Sequence, residues 1–77
     1  MKNNLGFRIK ELRKEKGLTQ SFVAKELGYK YSSIISEIES GKKSISTENL
    51  FKLAKIFDVD INVFFEEKVL ETRTSVI

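Results

Sequence analysis

The sequence predicts an all-α domain of five short helices. Three observations carry this reading. Apolar residues recur at helical spacing in five consecutive segments, glycine closes three of them, and almost nothing alternates with period two before the last few residues. Glycine does this punctuation unaided, because the 77 residues include no proline.

In the first segment Leu5, Ile9 and Leu12 fall on one face among charges, and Gly17 follows. The second, residues 19–27, has Thr19 placed to cap it, Val23, Ala24 and Leu27 on one stripe, and Gly28 at its end. The third spans about residues 32–40. Ile34, Ile35 and Ile38 mark its apolar side, Ser32 or Ser33 is available as its cap, and Gly41 closes it. Each of these glycines suits the left-handed conformation that ends a helix.

Helices four and five are expected within about residues 46–68. Ser46 can cap Thr47-Glu48-Asn49, after which Leu50, Phe51, Leu53, Ala54, Ile56 and Phe57 form more than one stripe, so the fourth helix should be largely buried. Asp58-Val59-Asp60 breaks the pattern, and Asp60 can cap a fifth helix carrying Ile61, Val63, Phe64 and Phe65. Residues 1–71 then form one domain, and 72–77 a tail that is either frayed or an extended arm.

Composition narrows the function. Hydrophobic residues make up 40% and charged residues 32%, a globular balance with one small core. With no Cys and no His, zinc fingers, disulfides, cysteine nucleophiles and histidine acid–base chemistry are excluded. No cofactor or metal is expected. No apolar run approaches the roughly 18 residues that cross a bilayer, and the first residues lack the apolar core of a secretory signal. The simplest location is the cytoplasm, in association with the nucleoid, with no membrane partner.

The net charge of +3 is unevenly placed. Residues 1–43 carry ten basic and five acidic side chains, whereas residues 44–77 carry four basic and six acidic ones. Such a split suits a front half that meets a polyanion and a back half with other work. The front half also holds the informative spacing: two helices of two to three turns joined by Gly28-Tyr29-Lys30-Tyr31. This approximates the Gly-containing turn of a helix-turn-helix unit. The outer side of the third helix carries Ser33, Ser36, Glu37 and Ser40, short or polar enough for a major groove about 12 Å wide.

At the level of motifs, Arg8-Ile9-Lys10-Glu11-Leu12-Arg13-Lys14-Glu15-Lys16-Gly17-Leu18-Thr19-Gln20 resembles the opening of the phage repressor and Cro-like (XRE-type) helix-turn-helix regulators. Val23 to Gly28, Ile35 to Lys42 and Leu50 to Phe57 match the same family in the same order, so the resemblance covers about residues 5–66. It implies a lambda-repressor-like fold and binding to operator double-stranded DNA, usually as a symmetric dimer. It also implies roles. Gln20 matches a residue that bonds a DNA phosphate at a helix start. Arg13 and Glu39 match a salt bridge tying helix one to the end of helix three. Lys42 and Lys43 match a phosphate-contacting loop. Ser32, Ser33 and Glu37 match base-reading positions, where glutamate can accept from a cytosine amino group. Lys30, Tyr31, Ser36 and Ser40 surround them and are assigned to the DNA backbone.

The chain departs from the family pattern in three places. Twelve residues separate Gly28 from Gly41 where the family usually has eleven, which leaves the register at the start of helix three open by one. Phe22 stands where an exposed acid is usual, and Ile45 where proline often follows the basic loop.

Val63, Phe65, Val69 and Leu70 form an apolar edge assigned to a homodimer interface. The expected function is thus that of a dimeric, self-regulating, sequence-specific transcription regulator, with a restriction–modification controller as one subclass. The alternative is a protein-interaction module on the same scaffold, supported by the apolar surplus at Phe22, Val63, Val69 and Leu70. An enzyme is not expected, since five short helices without His or Cys rarely gather a catalytic pocket.

Overall fold

The computed structural model describes residues 4–65. Within them the chain forms four α-helices, α1 (Asn4–Glu15), α2 (Gln20–Leu27), α3 (Ser33–Ser40) and α4 (Thr47–Phe57), followed by a 3-10 turn at Ile61–Phe64. The helices end as their sequences dictate. Thr19 Oγ1 accepts the Phe22 N–H at 3.0 Å and Ser46 Oγ accepts the Asn49 N–H at 3.1 Å. Gly28 and Gly41 take left-handed conformations at φ 86° and 89°, where an L side chain would be strained.

Three expectations need correction. The fifth segment is a four-residue 3-10 turn and not an α-helix within the described residues. Asp60 does cap it, through Asn62 N–H at 2.8 Å, but the chain arrives there from Asp58 at φ 59°. The turn closes through i→i+3 bonds from Val63 N–H and Phe65 N–H. Phe64 is fully buried in it, and Ile61 and Val63 pack on the core only in part. Second, Ser32 makes no side-chain capping bond, because its own backbone is already helical at φ −67°, ψ −20°. The helix start tightens instead through Ile34 N–H to Tyr31 O and Ile35 N–H to Ser32 O. Third, α4 buries one stripe, Leu50, Leu53, Ala54 and Phe57, while Phe51 is 51% exposed beside Lys52 and Lys55.

The core joins Ile9 of α1, Val23, Ala24 and Leu27 of α2, Ile35 and Ile38 of α3, and the α4 stripe with Phe64. Phe57 and Phe64 meet as a tilted pair, centroids 6.3 Å apart. α3 packs against both α1 and α2, α4 packs against α2, and the 3-10 turn bridges α1 and α4. The approach of α1 to α3 is very close. A Cβ on Gly6 would lie 2.4 Å from Ile38 O and 2.7 Å from Glu39 O, so glycine is required there by packing and not by conformation. No helix among the described residues is long and apolar enough to cross a membrane.

Candidate nucleic-acid interface

The α2–turn–α3 unit is held from three sides. Gly28 reverses the chain, and Tyr29 N–H bonds Ala24 O at 2.9 Å. The half-buried Tyr29 then fixes the turn to the first turn of α4, its hydroxyl accepting from Asn49 Nδ2 at 2.8 Å. Beneath the unit, Arg13 Nε and Nη2 donate to the two oxygens of Glu39 at 2.6 and 3.2 Å, and Arg13 Nη1 donates to Leu18 O at 2.8 Å. This is the fork-to-fork pairing that arginine gives and lysine cannot. Both residues are buried, so each charge depends on the other. The bridge ties α1 to the end of α3, as the family resemblance implied.

With Ile35, Ile38 and Glu39 facing inward, Ser33, Ser36, Glu37 and Ser40 fall on the opposite side at i, i+3, i+4 and i+7. The three serines are exposed and Glu37 is half-buried, as is Ser32 at the lip of the helix. Lys30 and Tyr31 stand exposed just before α3, Tyr31 at 65%. Just after it, Lys42 and Lys43 are exposed on a loop whose backbone is pinned to α3. The Lys42 and Lys43 N–H groups both donate to Glu37 O, at 2.8 and 3.2 Å. The Lys43 ammonium lies 4.0 Å from the Glu37 carboxylate across an open surface. Ser40 Oγ donates its single hydrogen to Glu37 O at 3.1 Å, which leaves that hydroxyl without a proton for a phosphate in this conformation.

Gln20 opens α2 and is half-buried; its Nε2 donates to Glu39 Oε1 at 3.0 Å. The structure therefore joins Gln20 of α2 to the end of α3 through Glu39, and it sets Lys42 and Lys43 against Glu37. The apolar edge fares differently. Phe65 is 59% exposed, Val63 packs partly on the core, and Val69 and Leu70 lie outside the described residues. Sequence reasoning missed the Gln20–Glu39 bond, the Tyr29–Asn49 tie and Gly6. Only Gly6 left a signal, as a glycine inside a helical pattern. Among the described residues no cluster of three or more acidic side chains is arranged to hold a metal ion.

Comparison with known proteins agrees with this geometry. Residues 9–64 match the helix-turn-helix family HTH_3. The chain is 42% identical over 59 residues to the ImmF control region 10 kDa protein of Bacillus phage phi105, covering 77% of this chain and 64% of that protein. It is 36% identical over 69 residues to an uncharacterized HTH-type transcriptional regulator of Archaeoglobus fulgidus, covering 86% and 96%. Among solved structures it resembles the restriction-modification controller protein C.AhdI from Aeromonas hydrophila, with TM-score 0.73 and 34% identity over 80% of this chain and 92% of that one. It also resembles SinR, the master regulator for biofilm formation, solved in complex with DNA, with TM-score 0.70 and 33% identity over 80% and 98%. The chain belongs to the HTH_3, XRE/Cro-like family of DNA-binding transcriptional regulators, which are not enzymes.

Proposed function

We propose that the chain binds a two-fold symmetric operator as a homodimer, inserts α3 into the major groove of each half-site, and regulates its own promoter. The observation that carries this reading is the outward stripe Ser33, Ser36 and Glu37, flanked by exposed Lys30, Lys42 and Lys43. Short side chains let the helix sink, and lysines on both sides meet the phosphates that border the groove. In this reading Glu37 accepts from a cytosine amino group, and Ser33 with Ser32 reads neighbouring base edges. Gln20, Lys30, Tyr31, Ser36, Lys42 and Lys43 hold the backbone.

Two copies are invoked because one domain has few phosphate contacts, and two α3 helices about 34 Å apart read half-sites one turn apart. Exposed Phe65 and the acidic back half suit a surface turned away from DNA. The likeness to a controller protein and to a regulator solved on DNA supports the same reading.

Selection from a random duplex pool tests it. The expected product is a pseudo-palindrome bound by two chains, present upstream of the protein's own gene, with affinity falling steeply as salt rises. Enrichment of no sequence, or of one asymmetric site bound by a single chain, would refute the dimeric operator.

A further inference from the structure

We propose that Arg13 and Glu39 act on DNA binding through Gln20, as positioning residues that preset its amide for one phosphate oxygen. This rests on the reading that the start of α2 faces the DNA backbone.

The chemistry of the contact fixes the amide's orientation. An ionised carboxylate only accepts hydrogen bonds, so the group that Gln20 presents to Glu39 must be its nitrogen, as the 3.0 Å contact has it. One amide hydrogen is then directed inward. Among the described residues the second hydrogen on the same nitrogen has no protein acceptor. Glu39 itself cannot turn, because Arg13 grips both its oxygens and is in turn held by Leu18 O. The amide therefore hangs from a buried, doubly braced carboxylate. Thr19 caps the Phe22 N–H, so the backbone N–H groups of Gln20 and Ser21 stand ahead of the first capped position, at the positive end of α2. A phosphate oxygen there would meet a side-chain N–H already aimed. An unbraced glutamine must be immobilised on binding, at a cost worth roughly two- to tenfold in affinity.

The effect of Glu39→Gln separates this relay from simple electrostatics, since the two predict opposite signs. The substitution makes the protein one unit more cationic, which by charge alone tightens binding to any duplex. The relay predicts binding roughly two- to tenfold weaker, on specific and random duplexes alike, because phosphate contacts carry no sequence information. Gln20→Ala should weaken binding by a similar or larger factor, and the double variant should bind no more weakly than Gln20→Ala. Affinities are measured by fluorescence anisotropy at a temperature where circular dichroism shows every variant folded.

Tighter binding by Glu39→Gln, or factors that multiply in the double variant, would overturn the relay. An unchanged affinity for Gln20→Ala would also overturn it, and would at the same time show that α2 does not meet the backbone through this residue. A second measurement needs no substitution. In the unmutated protein one hydrogen of the Gln20 side-chain amide should exchange with solvent markedly more slowly than the other, and DNA should shift chiefly the faster-exchanging one. Two amide hydrogens that exchange equally fast in the free protein would refute the relay.

Discussion

Replacing Gly6 by alanine makes a sharp test of the packing that sets α3 in place. In an ordinary helical position the change would stabilise by about 0.5–1 kcal/mol, because alanine loses less backbone freedom on folding. Here the added Cβ would lie 2.4 Å from Ile38 O, 2.7 Å from Glu39 O and 3.0 Å from Glu39 C. A carbon tolerates a carbonyl oxygen at about 3.3 Å or more, so α1 and α3 must separate by about 1 Å. The atoms in the way are backbone and cannot rotate aside. Overpacking of this kind costs about 1–3 kcal/mol, and forced helix separation belongs at the upper end. The net expectation is about 1–2 kcal/mol of destabilisation. A domain of this size has roughly 0.05–0.15 kcal/mol per residue to lose, so the variant should still fold. Urea titration followed by circular dichroism should show a lower midpoint with an unchanged slope. A midpoint that rises, as for a freely exposed helical glycine, would refute the close approach of α1 to α3.

Phe57→Ala removes the most enclosed side chain, partner of Phe64, and should cost about 3–5 kcal/mol in the same titration. Arg13→Met leaves the Glu39 charge buried without its partner and should cost about 3–5 kcal/mol, whereas the Arg13→Met/Glu39→Met double variant should cost less than Arg13→Met alone; additive costs would refute the mutual dependence. Lys43→Ala should weaken binding to all duplexes and reduce the salt slope by about 1, whereas Glu37→Ala should relax preference at particular base pairs, both read from affinities over a salt series on selected and random DNA.

Most of the scaffold was legible because its signals are local. Thr19, Ser46, Gly28 and Gly41 act on backbone groups within a few residues of themselves, and the Ile35/Ile38 stripe needs only helical geometry to face inward. What escaped depends on more distant neighbours. Phe51 looked like core by type, yet it sits one position off the stripe that α2 covers. The fifth segment has helical composition, but only Phe64 is fully buried while Ile61 and Val63 pack on the core in part, and that does not fix the extra turn that a regular helix needs. The Arg13–Glu39 bridge was reachable through family resemblance. The contacts from Gln20 to Glu39 and from Asn49 to Tyr29 join residues 19 and 20 apart, and nothing in either residue type announces its partner.

The central proposition is that the outer side of α3 and its flanking lysines meet the duplex while α4 and the 3-10 turn stay clear. Backbone amide shifts of the labelled protein, recorded before and after addition of its selected duplex, test this most directly. The largest changes should fall at Lys30–Glu37 and at Lys42–Lys43, with residues 61–65 little moved except by chain pairing already present in the free protein. Changes centred on Phe51 and Phe65, with Ser33–Glu37 unmoved, would contradict it.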